Sequence, residues 1–451
     1  MMIMDRFRQA GAWLAKRSVA SSIVILFFGF SAVQEFQRHG RWQTNNVLEW
    51  DIEAYYHYLP AAIIHGDIRD LSYVYHVDSL LHPEGHIGFG LHVHPLTGHH
   101  VIKYTMGTAV FELPLFLVAH SYALLSGSYP ADGYSCPYQI AVALSSALFA
   151  MLGFWILGRF IRRRATERDT CVALIAIGFG TNLFFYSTFN AGMSHAYLFF
   201  LFAAVLLLTD NLFRDPRRST ACWLGLTIGL TVLVRPVDGL VVLIPLLWSA
   251  RSAPGTLNAL SIARRRPSLI ITTLFVTALT MLPQLAYWFQ TTGNALYYSY
   301  LEEGFDFTSP HIIDGLFSYR KGWFVYTPLA GAGVIGLLLM LFDRDQRRMA
   351  IPVVIFLAVF CFVVFSWTNW WYGGSFGCRP LVSALALLGL PIAHLSRSLF
   401  ERHWTLWLAF VLVIAGGIKL NMYQQNQYRR GKIHWDSMTK EAYWKVLNED
   451  Y

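Results

Sequence analysis

The run Lys103-Tyr104-Thr105-Met106-Gly107-Thr108-Ala109-Val110-Phe111-Glu112-Leu113-Pro114-Leu115-Phe116-Leu117-Val118-Ala119-His120-Ser121-Tyr122-Ala123-Leu124-Leu125 decides the fold, because every later side assignment depends on whether it crosses a membrane. If Tyr104 to Leu125 spans, the next apolar run, Tyr138 to Phe160, must end outside. Yet that second run leads into Arg159, Arg162, Arg163, Arg164 and Arg168, the strongest cytoplasmic signal in the chain. One of the two therefore does not span. Glu112 and Pro114 place a charge and a helix-breaker in the middle of the first run, where both are least welcome. Lys103 to Leu125 reads as a helix lying in, or dipping into, the outer interface, and Gly127 to Tyr138 stays outside.

Composition sets the class in which this reading sits. The 451 residues are 55% hydrophobic and 16% aromatic but only 14% charged, against about 25% charged in soluble domains. A net charge of +8 would suggest nucleic acid in a soluble protein. Here the basic residues gather in short loops between apolar runs, and no aromatic-and-basic nucleic-acid motif is present, so no nucleic acid partner is expected. The five cysteines include no Cys-x-x-Cys pair. Cys171, Cys222 and Cys361 fall in apolar runs as core fillers, while Cys136 and Cys378 lie in loops placed outside and are not expected to bridge.

Working outward, Arg6, Arg8, Lys16 and Arg17 precede an uncharged run from Ser18 to Gln34 with no small-x-small cleavage site after it. That pattern reads as a retained anchor with a cytoplasmic N-terminus. Residues 35–137 then form a long extracytoplasmic loop with interfacial helices, including an amphipathic segment from Asp51 to Ile64. Beyond Tyr138 to Phe160, outward crossings are read at Cys171–Tyr186, Cys222–Val234, Leu269–Phe289, Ile351–Trp367 and Trp404–Leu420. Returns are read at Ala196–Thr209, Gly239–Ala250, Trp323–Phe342 and Leu381–Leu395, and residues 421–451 form an external tail. The expectation is one all-α integral membrane domain over residues 1–451, polytopic, with roughly eleven transmembrane helices at about 20 residues per span.

Sorted by side, the unusual polar residues fall outside. Foremost is Glu49-Trp50-Asp51-Ile52-Glu53-Ala54-Tyr55-Tyr56-His57-Tyr58-Leu59-Pro60, which follows the first hydrophobic run. Acids beside a hydrocarbon boundary are costly to desolvate and are often functional; the alternative is an aromatic belt with ordinary solvated acids. With it go Lys103, the Asp132-Gly133-Tyr134 turn, His195, Arg235, Asp238, Glu302-Glu303, Tyr319-Arg320-Lys321 and Trp370-Trp371-Tyr372-Gly373-Gly374-Ser375-Phe376-Gly377-Cys378-Arg379. An outer pocket holding an acid and several cations suits a phosphate-bearing substrate and a base. Transporters instead keep their polar groups near the midplane on broken helices, so a transporter or flippase of lipid-linked sugars stands as the alternative. His92-x-His94 and His99-His100 could bind zinc, but they lack ordered carboxylate or cysteine spacing and read as solvated loop histidines.

These residues resemble the polytopic C-type glycosyltransferases, the superfamily that includes protein O-mannosyltransferases and lipid A aminoarabinose transferases. Asp51-x-Glu53-x-Tyr55-Tyr56 is similar to the acidic motif that opens their first outer loop. Lys103-Tyr104 resembles the Lys-Pro-Pro start of a juxtamembrane helix, without the two prolines. Phe189 to Phe200 is similar to an outer turn bearing a second aspartate, a place held here by His195. Leu233-Val234-Arg235-Pro236 and the Trp370 to Arg379 segment complete the likeness, which covers most of the chain through short motifs. The resemblance implies an extracytoplasmic active site in a bacterial inner membrane and a polyprenyl-phosphate sugar donor. The acceptor would be a glycan, lipid or protein, and transfer would proceed by one inverting displacement. Asp51 would be the general base, with Glu53 beside it and Glu302-Glu303 as the fallback. Arg379, Arg320, Lys321, Arg235 and Lys103 would hold the donor phosphate; Tyr55, Tyr56, His195, Trp371 and Tyr372 would contact acceptor or sugar. A monophosphate donor needs no cation to bridge a diphosphate, so no metal or other cofactor is expected.

Overall fold

The computed structural model describes residues 18–44, 46–81, 88–252 and 255–448, with backbone alone for 249–252 and 255–258. The basic flank from Arg6 to Arg17 and the pair His82 and His86 lie outside the described residues. The described chain is an all-α membrane-embedded protein. Its main helices are α1 (Val19–His39), α2 (Asp51–Tyr56), α3 (Val74–Leu81), α4 (Gly107–Ser126), α5 (Cys136–Ile161), α6 (Glu167–Gly180) and α7 (His195–Arg214). They continue as α8 (Arg218–Val234), α9 (Pro267–Thr292), α10 (Leu329–Phe342), α11 (Arg347–Val364), α12 (Leu385–Arg402), α13 (Trp404–Arg429) and α14 (Lys440–Asn448). Two antiparallel ribbons, Leu91–Val93 with His100–Ile102 and Ser249–Ser252 with Gly255–Asn258, are the sheet structure among the described residues.

Seven of the described helices, α1, α4, α5, α7, α9, α11 and α13, are long and apolar enough to cross a membrane by length and composition. Three shorter apolar helical stretches, α8, Pro236–Leu247 and α10, accompany them. Local chemistry sets the ends. Gly40 closes α1 in the left-handed conformation with its N–H on the Phe36 carbonyl, and the Thr166 side chain caps α6 by accepting from the Asp169 N–H. α8 and α9 pack backbone to backbone, with the Thr277 hydroxyl donating to the Gly225 carbonyl at 2.9 Å, the small-residue packing that lets helices approach closely where lipid offers no hydrophobic drive.

The helix ends sort into two groups. At one end Arg162 binds Ser21 at the start of α1, and the fully buried Asp210 near the end of α7 takes Arg163 and Arg164. At the other end lie the first turn of α5, the first residue of α7 and the last of α8. Both termini of α4 lie toward this second end. Its N-terminus meets the end of α8, where Thr105 Oγ1 donates to the Val234 carbonyl at 3.5 Å and a Cβ on Gly107 would lie 2.3 Å from the Leu233 carbonyl carbon. Its later turns pack on the first turn of α5, through Phe116 on Tyr138 and His120 Nδ1 at 2.6 Å from the Tyr138 hydroxyl.

Several expected boundaries move. The helix expected over Lys103 to Leu125 forms as α4 and starts at Gly107; it runs through Pro114, and Glu112 is buried against the Tyr197 hydroxyl, which donates to it at 3.3 Å. The expected crossing Gly239–Ala250 is instead a 3-10 turn, Pro236–Val242, and a short helix, Leu243–Leu247, followed by an extended Trp248. Trp323–Phe342 is split at Thr327–Pro328, and Cys171–Tyr186 breaks at Thr181. The segment from Asp51 is buried on all sides from Ile52 to Ala61 rather than amphipathic. The tail is not loose: α13 runs on to Arg429, which binds Glu35, and Tyr443 of α14 packs on Tyr319 and Tyr326. Cys136 and Cys378 are both free thiols.

Candidate active site

The turn after α1 is pinned before α2 begins. Arg41 donates to Glu49 at 2.8 Å and to the Phe189 carbonyl at 2.6 Å, while the Val47 and Leu48 amides share Gln139 Oε1 at 3.0 Å each. These contacts deliver Trp50 in a left-handed conformation, φ 54°, unfavourable for a bulky residue, and Asp51 follows as the first residue of α2. From the far end of the chain, the Trp370 to Arg379 loop passes another such position at Tyr372, φ 47°. Tyr186 accepts from the Phe376 amide at 3.1 Å, and Asn182 donates to the Cys378 carbonyl at 3.3 Å. Gly377 turns at φ 62° where a Cβ would sit 2.8 Å from that of Tyr326. Arg379 comes next.

The two segments meet. Arg379 Nη1 donates to Asp51 Oδ2 at 2.5 Å, and the Tyr104 hydroxyl donates to Asp51 Oδ1 at 2.5 Å. The side chains of Arg379 and Asp51 are 16% and 15% exposed, so the pair is largely shielded but not sealed from solvent. Burial by itself would lower the Arg379 pKa; the Asp51 charge and the phenols of Tyr186, Tyr104 and Tyr55 outweigh it and raise it, so Arg379 is a fixed cation. The Tyr55 ring lies tilted against that of Tyr104, centres 4.4 Å apart, and burial with the Asp51 charge pushes its phenol up to about 12. Both phenols stay protonated, and Tyr104 is the one that donates to the acid.

More cations surround the pair. Arg235, at the end of α8, donates to the Pro380 carbonyl at 2.8 Å, next to Arg379, and binds Asp238. Lys321 is 3% exposed, binds the Ser375 carbonyl and lies 5.6 Å from the Tyr428 ring centre. Burial, with Arg379 and Arg320 nearby, pushes Lys321 down to about 7. His195 starts α7 with its ring 4.6 Å from Tyr186, 3% exposed, and both ring nitrogens lack a protein partner. This set of Asp51, Tyr104, Tyr55, Arg379, Arg235, Lys321 and His195 forms the candidate site.

Other expected site residues are engaged elsewhere. Glu53 is 1% exposed, and burial together with Asp78 pushes its carboxyl up to about 10, so it is held protonated. The Tyr56 hydroxyl donates to the Gly133 carbonyl and holds the Asp132 turn. Arg320 pairs with Asp436 of the tail at 3.1 Å and covers the Trp371 ring at 3.7 Å, while the Trp371 indole donates to the same Asp436 at 2.7 Å. These two fasten the loop to the tail. The Tyr372 hydroxyl donates to the Val364 carbonyl at 3.0 Å. Lys103 pairs with Glu303 at 2.5 Å, its ammonium 5.2 Å from the Tyr300 ring centre, and Glu302 is exposed. The histidines part company: His92 faces Tyr297 at 3.1 Å, His94 faces Thr97 at 3.1 Å, His99 pairs with Asp70 at 2.8 Å and His100 faces Tyr75 at 3.2 Å. Among the described residues, no three His, Cys, Asp or Glu side chains form a metal-ligating group.

Sequence reasoning read Tyr104 only as part of a motif and passed over Tyr186, the two phenols that hold the acid and its loop. The visible signal for Tyr104 was its place beside Lys103 at the head of the run that opens the argument. No known protein family, curated protein or solved structure matches this chain.

Proposed function

We propose that this chain is a membrane glycosyltransferase that moves a sugar from a polyprenyl-phosphate donor to an extracytoplasmic glycan, lipid or protein acceptor, with inversion. The observation that carries the reading is the meeting of Asp51 and Arg379, 328 residues apart in sequence, in a partly open site that also holds Arg235 and Lys321. The arginine-rich helix ends, far from this site, favour the cytoplasmic face of a bacterial inner membrane, which leaves Asp51 on the outer face.

The chemistry follows from the partners. With no donor bound, Asp51 is paired with Arg379 and hydrogen-bonded by Tyr104. A donor phosphate recruits Arg379, Arg235 and Lys321, which loosens Arg379 from Asp51 and leaves the carboxylate free to accept a proton. The acceptor oxygen attacks the anomeric carbon as its proton passes to Asp51. The bond from that carbon to the phosphate oxygen breaks, and polyprenyl phosphate leaves with its new charge facing the three cations. Tyr104 stays on the second Asp51 oxygen and fixes the carboxylate plane.

Donor binding tests the reading. Arg379→Ala should weaken affinity for a polyprenyl-phosphate sugar by about tenfold to a hundredfold, the range for a hydrogen bond to a charged group. Arg379→Lys should recover only part of it, because a lysine cannot make a two-pronged contact. Unchanged donor affinity in the alanine variant removes Arg379 from the phosphate site.

A further inference from the structure

At the basic end of the bundle a cleft of about 510 Å³ opens between the end of α5, the start of α6 and the end of α12. Arg162, Arg163, Arg164, Arg168 and Arg397 line it, with Phe400 and Glu401. Their charge is not cancelled locally. The buried Asp210 is shared by three guanidiniums, Arg163 at 2.6 Å, Arg214 at 2.9 Å and Arg164. Arg162 finds its nearest carboxylate, Glu167, only at 4.0 Å. Arg168 pairs with Asp169 and Arg397 with Glu401, so six arginines face four carboxylates.

The rim is aromatic. The Arg168 guanidinium lies 3.6 Å over Phe400 and 5.3 Å from Trp407, and Arg159 covers Trp155 at 4.8 Å. Trp155 and Trp404 are exposed, and further along α13 so are Leu408, Leu412 and Val413. Aromatic rings mixed with cations, passing into exposed aliphatic surface, mark the headgroup level of a bilayer. A soluble anion gains nothing from that apolar rim, whereas a lipid uses both parts.

The geometry points to this cleft as a binding site for the phosphodiester of an anionic phospholipid, with its acyl chains running along the exposed face of α13. Basic clefts between helices at a membrane surface hold lipid phosphates through this combination of charge and depth. The site is separate from the Asp51 chemistry and stands or falls independently of it.

The test uses the full chain purified in detergent. Phosphatidylglycerol, phosphatidylcholine and inorganic phosphate are titrated separately, and binding is read by thermal shift and by native mass spectrometry. Phosphatidylglycerol should bind and raise the melting temperature, while the other two should not at the same concentration. Arg397→Gln, a half-exposed residue paired only within its own helix, should weaken phosphatidylglycerol by about fivefold, and adding Arg163→Gln by about fivefold again. Arg217→Gln, on an exposed arginine at the same end that pairs with Asp215, should leave affinity unchanged. Unaltered phosphatidylglycerol affinity in Arg397→Gln overturns the assignment. So does inorganic phosphate binding as tightly as the lipid.

Discussion

The Arg379 loop is anchored through Asn182 and Tyr186 and the turn before Asp51 through Arg41 and Gln139, so each segment has contacts of its own besides the ion pair. In the proposed reaction the ion pair exchanges partners when a donor phosphate enters. Lys321 gives the exchange a pH signature. Its ammonium is pushed down to about 7 by burial and by Arg379 and Arg320, so donor affinity should fall as pH rises through that value. Lys321→Met should bind more weakly at pH ~6 and lose the dependence; a wild-type affinity that is flat across this range removes Lys321 from the site. Glu53 titrates in the fold rather than in the reaction. Its carboxyl is raised from 4.5 to about 10, so the folded state keeps a proton that the unfolded state releases. Stability should therefore decline as pH rises from about 4.5 toward about 10. Glu53→Gln, which keeps the neutral shape, should flatten the fall in melting temperature between pH ~5 and ~9. An equally steep fall in that variant assigns the dependence to another group.

The helix α4 shows where sequence reading succeeds and where it stops. The clash between its apolar length and the arginines after α5 was legible, because charge bias depends on composition alone. That it forms one helix was legible too; the burial of Glu112 was not, since that depends on Tyr197, a partner on another helix. The same limit hid the breaks at Thr181 and Thr327–Pro328, which arise where short helices turn to reach the Arg379 loop. Both ends of α4 lie toward the Asp51 end of the bundle, so the proposed function, which sets that end outside, also sets Gly127 to Tyr138 outside. A cysteine at the exposed Ser128 should then react with an impermeant thiol reagent in intact cells; protection there would reverse the side assigned to this loop. Gly107 ties α4 to the end of α8 that carries Arg235. Gly107→Leu should cost about 1–3 kcal/mol in stability, because its Cβ would press on fixed backbone rather than on a movable side chain.

Across the whole molecule, the sequence separated the two ends of the bundle by charge alone, and it singled out Asp51, Arg379, Arg235 and Lys321 as chemistry-bearing residues. It could not tell that Glu53 and Tyr56, one and four positions beyond Ile52 in the same short motif, turn into the packed interior. Nor could it tell that Arg320 and Trp371 hold the tail through Asp436. Motif spacing lists neighbours along the chain; only packing decides which of them meet. The central claim is that Asp51 takes the acceptor proton. It is tested by transfer of radiolabelled sugar from a polyprenyl-phosphate donor in membranes carrying wild type or Asp51→Asn at equal protein level. The asparagine keeps size and hydrogen bonding, so the donor should still bind while turnover falls by about a hundredfold to ten-thousandfold. Transfer by Asp51→Asn at the wild-type rate would contradict the account.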